Sequence, residues 1–172
     1  MDRRTFLKGL GLATAASLFA PGSASALLYC GPFEANGFQQ CQAGIDSSFL
    51  DITAGAVNGQ HMDQWCWAAC IEMVFRYYGM VVDQERIVRD TWGRIENMPA
   101  QEQDILRALN REWRDDNGKV FRSQGDSFTA NYVTAAQDLA NDMPLIIGTK
   151  GHAMVLTALS YYRNAWGQGE VT

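Results

Sequence analysis

The chain has 172 residues, with 14 Lys and Arg against 19 Asp and Glu, and a formal charge of −5 at pH 7. An acidic balance without a polybasic run excludes a chain built to grip nucleic acid or an anionic membrane surface. The length suits one domain with a sizeable core, and no internal repeat or low-complexity segment divides it.

The first elements in chain order belong to export. Asp2-Arg3-Arg4-Thr5-Phe6-Leu7-Lys8 reads as a twin-arginine signature. A Gly- and Ala-rich apolar run follows from Gly9 to Ala20 and leads to Ala24-Ser25-Ala26, which fits the small-residue cleavage rule. The run is shorter than the ~20 apolar residues of a membrane helix. We therefore assign 1–26 to a signal peptide and 27–172 to the mature domain, with no integral membrane segment after cleavage and a periplasmic or extracellular location. Cleavage removes three of the basic and one of the acidic residues, so the mature chain is more acidic still. Four cysteines remain. Cys30 and Cys41 bracket a Gly-rich loop, and outside the cytoplasm a bridge between them is expected. Cys66 and Cys70 are then free thiols. Bulky Tyr29 argues against lipid attachment at Cys30.

Residues 27–60 carry five glycines and little periodicity, and read as loop. A helix is predicted from about Trp65 to Tyr78. Only Glu72 and Arg76 break its apolar surface; four apart, they share one narrow wet stripe. Gly79 is placed as a left-handed cap. A second helix is predicted from Asp83, as N-cap, to Thr91, with Gly93 breaking the chain, and a third from Gln101 to Arg111 with Ile105, Leu106 and Leu109 inward. Arg111-Glu112-Trp113-Arg114-Asp115-Asp116 mixes both signs and reads as solvated surface. Gly118 to Ser123 is a short strand, Asn131 to Asn141 a fourth helix, Pro144 to Thr149 a strand and His152 to Tyr162 a longer one. Trp92, Trp113, Tyr132, Tyr161 and Tyr162 read as core aromatics rather than a ligand platform. Helices first and strands last give an α+β class.

Within this frame two segments carry chemistry. Gln60-His61-Met62-Asp63-Gln64-Trp65-Cys66-Trp67-Ala68-Ala69-Cys70 puts a thiol at the start of an apolar helix, with a Gln six residues upstream. Unpaired N–H groups in a first helical turn favour thiolate. Cys66 lies in that turn and Cys70 one turn deeper, so Cys66 is the nucleophile candidate and Cys70 a small buried hydrophobe. The chain has two histidines. His61 reads as a solvated loop residue. His152 follows Gly151 and opens Ala153-Met154-Val155-Leu156, an apolar strand able to hold a base. The Gln60 side chain, with the backbone N–H of Cys66, could hold the oxyanion of a tetrahedral intermediate. Two histidines and two spare cysteines form no metal-ligand spacing, and no phosphate-cradling loop is present, so neither metal nor cofactor is expected.

Gln60-x5-Cys66-Trp67 resembles the Gln-x5-Cys-Trp of papain-like cysteine proteases, and Gly151-His152-Ala153 before an apolar strand resembles their histidine segment. Trp67-Ala68-Ala69, with Met73 ahead of Tyr77-Tyr78-Gly79, is more similar to the compact bacterial secreted and effector branch than to plant papain. Trp67 after Cys66, where Ile71 follows Cys70, again favours Cys66. The resemblance spans Gln60 to about Tyr162. It implies a two-lobe fold, a helical lobe with the Cys and an antiparallel β lobe with the His, separated by a cleft. It implies Cys66 as nucleophile, His152 as base and acid, and Gln60 as oxyanion donor, acting on a polypeptide or peptide-like substrate without a metal.

Two positions depart from the family. Gln64-Trp65 replaces a Gly-Ser, which makes the approach to the thiol bulkier. The residue that orients the imidazole has no clear counterpart: Asn164, in Asn164-Ala165-Trp166-Gly167, sits at the far end of a hairpin. The expectation is a chain continuing past Glu170-Val171-Thr172 to supply it. Other readings are a non-catalytic binding module, a cell-wall peptide amidase, and a redox pair of Cys66 and Cys70, whose three-residue spacing is unlike Cys-x-x-Cys.

Overall fold

A computed structural model describes residues 27–46, 59–125, 127, 131–149 and 151–171. The expected export signature and cleavage site, within residues 1–26, lie outside them. The chain divides into two compact units.

The first unit contains 59–125 and the segment 146–155. Its centre is helix α1, Cys66–Tyr77, with no Gly or Pro and buried residues on nearly every side. Tyr78 and Gly79 end it, Gly79 in the left-handed conformation at φ 75°. Helix α2, Gln84–Trp92, packs on α1. Asp83 caps it by accepting from Arg86 N at 2.8 Å, and left-handed Gly93 closes it. Helix α3, Glu102–Leu109, starts where Asp104 Oδ2 accepts from Gln101 N.

Strands β3, Glu112–Arg114, and β4, Val120–Arg122, form an antiparallel hairpin with Trp113 opposite Phe121. Both rings meet Phe75 of α1 edge-on, at 5.5 and 5.1 Å between centroids. The Trp113 indole donates to Ala108 O. Trp113 is core, as expected, while the reading of 111–116 as a solvated surface is corrected at Asp115. Glu112 and Arg114 face water, but Trp113 and Asp115 are buried. The period of two, not the charge content, is the signal that governs here.

The carboxylate of Asp115 closes the hairpin turn by accepting from Asn117 N and Lys119 N. The wet stripe on α1 is also corrected. Glu72 is 2% exposed, paired with Arg76 and covered by Gln84 of α2. The first unit also holds most of the hairpin of β5, Leu145–Thr149, and β6, His152–Leu156. The chain that carries His152 thus belongs to the same unit as Cys66, where the expected division gave it to a separate β lobe.

The second unit contains 27–46, 131–145 and 156–171. Its antiparallel sheet runs β1-β2-β7-β8, from β1, Leu27–Cys30; β2, Phe38–Gly44; β7, Ala158–Asn164; and β8, Gly169–Val171. Helix α4, Tyr132–Ala140, lies against β1, β2 and β7. Asn131 caps it by accepting from Val133 N and Thr134 N. Cys30 stands opposite Cys41 in the register and is bridged to it, as expected. The expected loop over 27–44 is therefore two strands. Gln39, Cys41 and Ala43 turn inward between exposed Gln40 and Gln42, and small or polar inward residues hide the alternation. The order "helices first" fails for the same reason. The expected strand from His152 to Tyr162 is two strands, interrupted at Thr157. The α+β class stands. No helix among the described residues is long and apolar enough to cross a membrane.

Burial works against ionisation of Asp115, but the N–H groups of Lys119, Val81 and Asn117 outweigh it and hold the carboxyl below the usual aspartate range. A lowered folded-state pKa contributes stability that is complete above the unfolded value and is lost as pH falls through the folded one. Asp115→Ala is accordingly expected to lower Tm at neutral pH, with the gap to wild type closing as pH drops below the ordinary aspartate range. Thermal melts of both proteins from pH 7 to pH 2 measure this; a gap that is constant with pH would refute the ionic origin.

Candidate active site

Cys66 is the first residue of α1 and is half-buried. Its neighbours hold it from both sides. Trp65 is 0% and Trp67 1% exposed. A buried indole N–H usually has an acceptor, although that of Trp92 in α2 has none. Trp65 Nε1 donates to Glu96 O at 2.8 Å and Trp67 Nε1 to Met98 O at 3.1 Å. Between these carbonyls, Asn97 Oδ1 accepts from Gln64 N at 3.0 Å. Three bonds thus tie the helix entrance to one short segment, 96–98. The expected obstruction by Gln64-Trp65 does not arise from Trp65, whose side chain is turned into the core. The N-cap Trp65 makes no side-chain capping bond, so the N–H groups of the first turn are free of a capping side chain.

His152 comes next to this sulfur through its backbone. Gly151 reverses the chain at φ 85°, a conformation that strains residues with a Cβ, and His152 opens β6 immediately after it. The following N–H, that of Ala153, donates to Cys66 Sγ at 3.5 Å. Across a planar peptide a Cα lies ~2.4 Å from the next nitrogen, so the His152 Cα is within about 6 Å of the sulfur. That separation is within reach of an imidazole. His152 is exposed to solvent. Cysteine and histidine positions 86 residues apart in sequence are thus brought together within one unit.

Gln60 is exposed on the loop entering α1, and its Nε2 donates to Met62 O, which also accepts from Trp65 N. An amide nitrogen carries two hydrogens, so one remains for a ligand. His61 is exposed, and its backbone N–H donates to Gln84 Oε1. Cys70 is buried, and its thiol is pushed up to about 12 by burial and, secondarily, by the charge of Cys66. Asn164 belongs to the second unit and serves its own turn: Oδ1 accepts from Trp166 N and Gln168 N, and Nδ2 donates to Gln168 Oε1. Among the described residues no group of three or more His, Cys, Asp or Glu is arranged to hold a metal ion.

Sequence reasoning did not find Gln84, Glu72 or the 96–98 segment as parts of this region. A signal for the last was present: two tryptophans flanking a cysteine on an apolar helix favour two nearby acceptors. Comparison with protein-family models, curated proteins and solved structures finds no match to this chain.

Both free thiols lie on one helix in opposite environments, which alkylation reads directly. Native protein at pH 8 is expected to take up one equivalent of iodoacetamide, on Cys66. Cys70, protonated until about pH 12, should react only after unfolding. Intact mass with peptide mapping measures both, and labelling of Cys70 in the native state would refute the assignment.

Proposed function

We propose that this chain is a cysteine peptidase of the papain-like type, in which Cys66 is the nucleophile, His152 the base and acid, and Gln60 an oxyanion donor. The observation that carries the reading is the Ala153 N–H on Cys66 Sγ, which sets the backbone of the His152 strand against the thiol at a helix N-terminus. The Gln60-x5-Cys66-Trp67 spacing supports it.

The chemistry follows from these groups. Imidazole takes the thiol proton, and the thiolate attacks the carbonyl carbon of a peptide bond. Charge on the carbonyl oxygen is met by the first-turn N–H groups of α1, beginning with that of Cys66, and by the free hydrogen of the Gln60 amide. The C–N bond breaks as the imidazolium returns its proton to the amine, leaving a thioacyl enzyme. Water, deprotonated by the same imidazole, releases the acid and restores the thiol. No step in this scheme calls on a metal or cofactor.

A substrate met outside the cytoplasm suits the export signature of residues 1–26. Peptide cross-links of the cell wall fall within the same amide chemistry. A non-catalytic binding module is the second reading, favoured by the commitment of Asn164 to its own turn.

Turnover of a mixed peptide library and of cross-linked wall peptides separates these readings. Cys66→Ala is expected to abolish turnover, and His152→Ala to lower it by ~10²–10⁴, while Cys70→Ala leaves it unchanged. Activity that survives Cys66→Ala would refute the proposal. Absence of turnover in wild type, with saturable peptide binding, would establish the binding module. Loss through Cys70→Ala with the fold intact would move the nucleophile.

A further inference from the structure

The side chain of Gln84 is 0% exposed, yet it sits at the first position of α2, where a glutamine ordinarily faces water. Its amide makes three bonds. Nε2 donates to Glu72 Oε2 at 3.1 Å and to Gly59 O at 2.8 Å, and Oε1 accepts from His61 N at 3.0 Å. The last two are the backbone groups immediately before and after Gln60. Together they pin the loop as a neighbouring strand would, with a donor and an acceptor side by side.

The amide is itself held. Arg76 binds Glu72 Oε1 through Nε and Nη2, each at 2.8 Å, which leaves Oε2 to Gln84. The Asp83 cap fixes the backbone from which Gln84 projects. A role confined to joining α2 to α1 would require only the Glu72 bond. The other two bonds go to a loop whose side chains at 60 and 61 are exposed and contribute nothing to the core.

From this we infer that Gln84 is a positioning residue: anchored on Glu72, its amide grips the chain on both sides of Gln60 and thereby sets where the Gln60 amide stands for catalysis. The inference rests on the peptidase reading above. Glutamine is the residue required. A glutamate has no hydrogen for Gly59 O or Glu72 when ionised, and an apolar isostere offers neither donor nor acceptor.

A double-mutant cycle tests it. Gln84→Met keeps the volume and removes the amide. It is expected to lower kcat by ~10–100-fold, up to the loss typical of one oxyanion donor, with KM little changed. In a Gln60→Ala background the same substitution should have no further effect, because the group being positioned is already gone. Backbone hydrogen exchange at His61 should accelerate in both backgrounds.

Multiplicative losses in the cycle, or wild-type kcat in Gln84→Met, would overturn the inference while leaving Cys66-dependent turnover, and hence the peptidase reading, intact. Turnover indifferent to Cys66→Ala would instead remove the peptidase reading and the catalytic role of Gln84 with it, even if His61 exchange still reports the clamp. If Gln84→Met does not fold, Gln84→Glu takes its place. Its protonated carboxyl can still bridge Glu72 and His61 N beside Arg76, so activity should persist in acid and fall as pH rises and the two carboxylates lose their shared proton. A pH profile unchanged from wild type would overturn the inference.

Discussion

Two buried indoles on either side of one cysteine impose the constraint on which the first unit is organised. Trp65 and Trp67 enter the core with acceptors for their N–H groups, and leaving a buried donor unmet costs ~1–3 kcal/mol. The acceptors are backbone carbonyls two residues apart, Glu96 O and Met98 O. Satisfying both fixes the position of the helix start, and with it Cys66, to within the tolerance of a hydrogen bond. The thiol does not have to be held by its own contacts. It is held because its neighbours are, while remaining half-open itself. Trp67 also meets Trp92 of α2 edge-on, at 6.1 Å, so the same side chain that anchors the cysteine joins two helices.

The polar network behind the helix answers a different problem. A carboxylate inside an apolar helix is costly unless paired and fully hydrogen-bonded. Glu72 meets that condition through Arg76 on one oxygen and Gln84 on the other. Removing one partner from such a buried pair typically costs ~3–5 kcal/mol. The arrangement is therefore weak evidence for stability and better evidence for specification, because it allows one relative setting of α1, α2 and the 59–61 loop. Gln84 transmits that setting to the loop, and the loop carries Gln60.

Elements built from strong local signals were legible in the sequence. The apolar run of α1, the Asp83 cap, the left-handed Gly79, the break at Gly93 and the helix start at Asn131 all appear where local chemistry puts them. The Cys30–Cys41 bridge was legible from compartment and spacing. What was obscured has a common cause. Strand β2 turns Gln39, Cys41 and Ala43 inward, and strand β3 sets one tryptophan between charged residues, so neither presents the large apolar alternation that marks a strand. Cys66 and His152 stood out as candidates because their residue types are chemically distinctive. Gln84 did not, since a glutamine next to a cap looks like any exposed first-turn residue, and only the approach of Glu72 and of the 59–61 loop buries it.

The two thiols of α1 show how position alone divides identical groups. Cys66 and Cys70 are one turn apart on the same helix, and each is free. Cys66 opens the helix, half-exposed and without a capping side chain beside it, and the Ala153 N–H reaches the sulfur. Cys70 lies inside, where burial disfavours charge, and any negative charge on Cys66 disfavours it further. Burial is the larger of the two effects and is what sets the inner sulfur apart. A neutral Cys70 is then a small apolar residue in the core. One accessible and one enclosed thiol on this helix follow from the geometry of its first two turns.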